Sequence, residues 1–313
     1  MNRISINVRA FIALLIVMAA LPFLGQDYLT RLATQVLIFG LAALSLDLLV
    51  GYGGMISFGH AAFYGIGAYT TAILSSQGIQ SGFLALPIAT LAGGLGALVI
   101  GAISLRTSGA YFIMITLAFA QMLYYGSVVL IKFGGDEGIR VPRSTFLGLI
   151  NVSDPMTFFY LVLVIFLGIF LLCRRIVASR FGRALRAIKD NERRMVSLGY
   201  NAYAYKLAAF SLAGAIAGLG GALHANLNEY ASPAAFHWVL SGDFLVMIIL
   251  GGIGTLSGAL IGTAAFVLLQ NVLSSYTNYW ALVLGPILLG IVLFSNGGIL
   301  ALIRRIAGGK SRA

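Results

Sequence analysis

Residues able to do chemistry are few in this chain, and their spacing does not assemble a catalytic centre. No His/Cys pattern fits a zinc site, no nucleophile elbow is present, and no carboxylate pair sits on a plausible aqueous segment. No catalytic residue and no metal ligand is therefore assigned, and an enzyme acting on lipid is the one catalytic reading left. The terminal Gly308, Gly309, Lys310 and Ser311 resemble the end of a phosphate-binding loop, but Arg304 stands where the upstream glycine is required and no strand precedes it. The chain is not expected to hydrolyse ATP. Three buried-type ionisable residues remain. Asp47 and Asp243 lie inside apolar stretches, where a carboxylate costs roughly 2.5 to 3.5 kcal/mol at the bilayer centre and less near an interface. Either could attract a substrate ammonium or hydrogen-bond to another helix. His60 could relay a proton or serve packing and hydrogen bonding.

The charged residues are concentrated elsewhere. From Arg174 to Lys206 the chain carries nine Lys/Arg against two acids, although only 9% of its residues are charged overall. Within this run Leu185, Ile188, Glu192 and Met195 recur every three to four residues, while Arg183, Arg186, Lys189, Arg193 and Arg194 cover the other sides. The spacing predicts a short helix lying along a membrane surface, with Asp190 and Glu192 placed to meet basic groups on a partner. A loop that only anchors topology and touches anionic lipid fits the same charges.

These elements must be carried by a membrane scaffold. With 60% hydrophobic residues, a mean hydropathy of +0.98 and repeated apolar stretches near 20 residues, 313 residues could not bury their apolar surface in a soluble core. The fold class expected is all-α, a polytopic integral membrane protein with about ten transmembrane or re-entrant helices and both termini cytoplasmic. The net charge of +11 clusters at the ends of apolar stretches rather than along a soluble face, so it reads as topology and not as nucleic-acid binding. The lone Cys173 allows no intrachain disulfide. Arg3 and Arg9 precede the apolar run 10–24, which reads as a retained first helix.

Hydropathy places spans near 10–25, 33–50, 57–76, 83–105, 109–132, 157–173, 205–226, 239–254, 256–275 and 279–303. With ten spans and cytoplasmic termini, 16 of the 20 Lys/Arg fall inside, and only Arg31, Lys132, Arg140 and Arg143 fall outside. The whole of 1–313 is treated as one transmembrane domain with a cytoplasmic loop at 174–204 and an external loop at 133–156. The external loop carries Asp136, Glu137, Arg140, Arg143 and Asp154, and either contacts an external protein or is merely solvated.

Two glycine-rich segments, 51–69 and 250–266, both begin with glycine pairs, pass through Ser57 or Ser257, and continue into small-residue helices. Broken, glycine-rich segments in the two halves of a chain point to a transport pathway, because unwound backbone at membrane depth is tolerated where it lines a cavity or is buried in protein. Gly53, Gly54, Ser57, His60, Gly251, Gly252, Gly254 and Ser257 are the pathway candidates. Gly214 with Gly218, and Gly258 with Gly262, form small-xxx-small faces suited to close helix packing.

The string SRFGRALRAIKDNERRMVSLGYNAYAYKLAAFSLAGAIAGLGGAL (179–223) resembles the cytoplasmic coupling loop and following helix of the branched-chain amino acid permeases of ABC importers. GMISFGHAAFYGIGAYTTA (54–72), LRTSGAYFIMITLAFAQM (105–122), GGDEGI (134–139) and VMIILGGIGTLSGALIG (246–262) resemble the same family, in order, and in detail its M-type subunit. The resemblance implies that two paralogous permeases form the pathway, two cytosolic ATPases dock on the loops using ATP and Mg, and a periplasmic or extracellular binding protein delivers the amino acid. This chain itself would bind no cofactor and would lie in a bacterial inner membrane. By carry-over, the ATPase-docking element would comprise Arg180, Phe181, Gly182, Arg183, Leu185, Arg186, Ile188, Asp190, Glu192 and Gly199. The general importer pattern of Glu-Ala-Ala, three residues and Gly is not kept: Arg193 and Arg194 follow Glu192, and Gly199 lies seven positions on. Import of urea or short amides by a permease of the same family, and a self-sufficient channel or secondary transporter, are the alternative readings.

Overall fold

The computed structural model describes residues 2–131, 134–144, 154–277, 279–294 and 298–299. Twelve helices account for most of them: α1 (Asn2–Ala20), α2 (Asp27–Asp47), α3 (His60–Ser76), α4 (Gly82–Ser104), α5 (Ala110–Val129), α6 (Pro155–Ala178), α7 (Arg180–Asp190), α8 (Glu192–Ser197), α9 (Ala202–Asn228), α10 (Trp238–Gly251), α11 (Leu256–Tyr276) and α12 (Trp280–Phe294). Within the described residues, each apolar stretch read from the sequence overlaps one of these helices, α7 and α8 being the remaining two. Six are long and apolar enough to cross a bilayer: Asp27–Tyr52, Gly82–Ser104, Ala110–Val129, Pro155–Ala178, Ala202–Asn228 and Leu256–Tyr276. Arg9–Phe23 and Trp238–Gly251 are shorter apolar helices. The chain is thus an all-α, multi-pass membrane protein. The Gly308–Ser311 segment and much of the loop at 133–156 lie outside the described residues.

Close approach of backbones, made possible by missing side chains, organises the bundle. A Cβ on Gly93 would fall 2.6 Å from the Gly214 carbonyl oxygen and 2.9 Å from Gly218 Cα, and one on Gly67 would collide with the Gly218 carbonyl. Helices α3, α4 and α9 therefore meet backbone to backbone, as the 214/218 spacing predicts. Gly251, Gly258 and Gly262 bring α10 and α11 together in the same way. Between these two groups α2 is almost wholly buried, with Leu37, Ile38, Leu41, Leu44 and Leu46 inaccessible to solvent.

Side-chain caps and one short ribbon fix the helix ends. Asp154 accepts from the backbone N–H (2.9 Å) and hydroxyl (2.8 Å) of Thr157 at the start of α6, which holds its carboxyl below the ordinary range. Asn201 caps α9 by accepting from the Ala204 N–H. At the other end of α9, Glu229 takes a left-handed conformation (φ 54°), the one non-glycine residue to do so among those described, and pairs with Arg143 at 3.0 Å. Strand β1 (Ile139–Arg140) pairs antiparallel with β2 (Tyr230–Ala231), tying the loop after α5 to the end of α9.

Candidate functional site

The basic run forms two helices, α7 and α8, rather than the single helix its spacing predicts. Asn191 is extended (φ −157°, ψ 94°), ends α7, and turns its side chain to accept from the Arg194 N–H at 3.0 Å, starting α8. An Asn whose side chain competes for local backbone donors favours such a cap over a helix interior. Leu185, Ile188 and Met195 are buried as the periodicity requires, whereas Glu192 is not and instead pairs with Lys206 of α9 at 2.6 Å. Gly199 (φ 85°) ends α8, with its own N–H on the Val196 carbonyl and the Tyr200 N–H on the Met195 carbonyl.

Several arginines assigned to docking turn back toward the membrane helices. Arg183 donates to the Ala178 carbonyl (2.9 Å), and Arg186 donates to those of Val177 (3.0 Å) and Gly182 (3.4 Å). Cations on the terminal carbonyls of α6 complement that helix end. Gly182 completes the corner, since a Cβ there would lie 2.5 Å from the Ile176 and Val177 carbonyl oxygens. Phe181 stacks on Tyr205 of α9 with centroids 5.4 Å apart. Arg180, Asp190, Arg193 and Arg194 are also exposed, together with Val196, Leu198 and Tyr200. Those three apolar residues were missed in the sequence because their stretch follows no helical period.

Beneath α7 the two glycine-rich breaks meet. Helix α2 does not stop at Asp47 but continues as a π-turn, Leu48–Tyr52, before the extended segment leading to α3. The second break, 252–255, connects α10 to α11. Asp47 Oδ1 accepts from the Gly254 N–H at 2.7 Å, and the Tyr52 hydroxyl donates to the Gly254 carbonyl at 2.9 Å. A Cβ on Gly51 would lie 2.6 Å from Gly254 Cα and 2.7 Å from Asp47 Oδ1, so only glycine fits. Gly254 itself takes φ 77°, a left-handed turn that favours glycine. Lys189 of α7 then reaches in: its Nζ donates to the Gly51 carbonyl at 2.7 Å, while the Arg186 guanidinium lies 5.8 Å from the Tyr52 ring centroid. The sequence had offered Asp47 as a partner for another helix; the structure gives it the loop between α10 and α11.

The remaining pathway candidates are distributed unevenly. Gly53 and Gly54 line a cleft of about 290 Å³ under α7, with Lys189, Glu192 and Lys206 on its rim. Ser57 is buried and accepts from the Gly59 N–H at 3.1 Å, and His60 is buried with Nε2 2.7 Å from the Ser45 hydroxyl, so both close local polar contacts. Gly251 packs against Gly258, Gly252 and Gly254 shape the second break, and Ser257 lies half-buried in the first turn of α11. Asp243 is placed in α10.

A basic surface helix thus holds, by one lysine, the point where two interrupted membrane helices cross. Comparison with known proteins gives that geometry a context. Residues 28–294 match the family model described as the branched-chain amino acid transport system / permease component. The chain belongs to this permease family. It is 28% identical over 320 residues to the high-affinity branched-chain amino acid transport system permease protein LivM of Salmonella typhimurium, covering 93% of this chain and 74% of that protein. LivM of Escherichia coli K12 is 28% identical over 94% of this chain and 75% of its own. LivH of Escherichia coli K12, the other permease type, is 27% identical over 84% of this chain and 91% of its own. No solved structure matches the chain.

Proposed function

We propose that this chain is the M-type permease subunit of an ATP-driven importer for branched-chain or related apolar amino acids. It lies in a bacterial inner membrane with α7 and α8 on the cytoplasmic side, as the positive charge of that segment favours. A second, paralogous permease completes the pathway, two cytosolic ATPases hydrolyse ATP with Mg, and an external binding protein delivers the solute. The names of the LivM and LivH relatives support two permease types in such systems.

The contact that carries the mechanical part of this reading is Lys189 Nζ on the Gly51 carbonyl. The ATPase is read as gripping Arg193, Arg194 and the exposed Val196, Leu198 and Tyr200, while Arg183 and Arg186 stiffen the corner between α6 and α7. Displacement of α7 then acts on the π-turn through Lys189, and on the 252–255 connection through the Asp47 and Tyr52 bonds to Gly254. Because these two breaks join different helices, moving one against the other can switch which side of the membrane the pathway faces.

The test is reconstitution of the complete importer in proteoliposomes. Lys189→Ala should leave ATPase subunits bound and hydrolysing while leucine uptake falls at least tenfold. Arg193→Glu with Arg194→Glu should instead release the ATPases in a detergent pulldown. Normal uptake by both variants would sink the assignment, and solute flux through the chain purified alone would make it a channel or secondary transporter.

A further inference from the structure

At the end of α9 remote from α7 a separate cavity of about 390 Å³ opens among α3, α9, α10 and the turn after β2. His224 and Asn228 lie 18 and 22 residues beyond Lys206 in α9, so this opening lies about 30 Å along the helix axis from Lys206. The polar lining comes from Tyr64, His224, Asn228, Tyr230 and Ser232. Tyr64 is fully buried, yet its hydroxyl has no hydrogen-bond partner among the described residues. A buried hydroxyl left unpaired costs about 1 to 3 kcal/mol and calls for an explanation that packing does not give. The Tyr64 ring lies 6.3 Å from Phe39, 5.5 Å from Phe244 and 5.5 Å from His224, centroid to centroid, an aromatic setting that holds the ring in place.

One turn further along α9, Asn228 Nδ2 lies 2.9 Å from His224 Nε2, so a polar pair stands between the Tyr64 ring and the open end. The opposite wall is small and apolar, formed by Ala68, Ala231, Ala234 and Ala235 with Leu240 beside them. No Lys, Arg, Asp or Glu is among the described lining residues. The nearby Glu229 is already paired with Arg143.

We infer that this cavity is an acceptor site for an amino acid that carries no net charge and has an apolar side chain. An uncharged lining disfavours a ligand with net charge, because its desolvation would go uncompensated. Alanine walls leave room for a branched aliphatic group. The amide of Asn228, the imidazole of His224 and the hydroxyls of Ser232 and Tyr64 supply the few convergent polar partners typical of small-molecule sites. Urea or a short amide would leave much of the volume unfilled. The inference rests on the permease reading and adds to it the place where the solute is first held.

The test uses the complete importer in proteoliposomes. Cys173, the one native cysteine, is buried, so Ala234→Cys places a single accessible thiol at the mouth. Leucine at millimolar concentration should slow maleimide labelling of that thiol at least threefold, and lysine should not. In parallel, Asn228→Leu and Tyr64→Phe should raise the KM for leucine about tenfold and threefold. Leucine uptake with no protection and unaltered KM would overturn the site and leave the permease reading intact. Failure of the unmodified complex to import any branched-chain amino acid would overturn both.

Discussion

Where α9 begins, Asp47 Oδ1, the Tyr52 hydroxyl and the Lys189 ammonium each have a backbone partner within 2.9 Å, whereas near its other end the Tyr64 hydroxyl is buried without one. The first region ties Asp47 Oδ1, Tyr52 and Lys189 to backbone more than 130 residues away, leaving Asp47 Oδ2 buried without a partner among the described residues, whereas the second sets Tyr64 and the His224–Asn228 pair around open volume. Polar groups that bond one another resist displacement and transmit force. Polar groups that border a cavity are available to a ligand. On the proposed reading, one end of the bundle is pulled and the other receives the solute.

The comparison breaks most severely at Gly51. Gly51→Leu would drive a side chain into Gly254 and Asp47, and should cost about 3 kcal/mol or more, seen as a large loss of thermal stability in detergent. Gly218→Leu attacks the same kind of contact between α9 and α4, and should abolish transport while membrane insertion, scored by protease accessibility of the loops, persists.

Asp47→Ala should cost about 1 to 3 kcal/mol, because it strips the Gly254 N–H of its acceptor. Asp47→Asn keeps an acceptor oxygen and should recover much of that loss in the same melting assay. Tyr64→Phe sharpens the contrast from the other side: it removes a hydroxyl that bonds nothing in the protein, so stability should change by less than about 1 kcal/mol in either direction. A loss as large as that of Asp47→Ala would mean that the two regions do not differ.

The smallest effect is expected at the surface. Glu192→Gln removes the pair with Lys206, whose partners are 49% and 18% exposed, and should shift stability by no more than about 1 kcal/mol. A chemical melt at low and high salt checks this.

Much of the scaffold was legible in the sequence because the bilayer imposes a strong rule. Long apolar stretches must become helices when no water is present to satisfy the backbone, and the described part of each stretch overlaps a helix, six of those helices being long and apolar enough to cross a bilayer. The small-residue spacing at Gly214 and Gly218 likewise announces close packing, since only small residues let two backbones approach. The candidate site was legible in part. Leu185, Ile188 and Met195 betray the buried side of the basic segment by their period, but Asn191 breaks the helix through a local side-chain cap that the period does not contain.

Local composition and spacing were enough to settle that this protein is solvated by a bilayer, where its long apolar helices run and where its basic segment lies in the chain. The packing of those helices alone brings Lys189 to Gly51, Asp47 to Gly254, and Tyr64 and Asn228 to one cavity. Those pairs lie 138, 207 and 164 residues apart (189 − 51, 254 − 47 and 228 − 64), and contacts at such separations are set by how helices pack in three dimensions, not by any local preference of the chain.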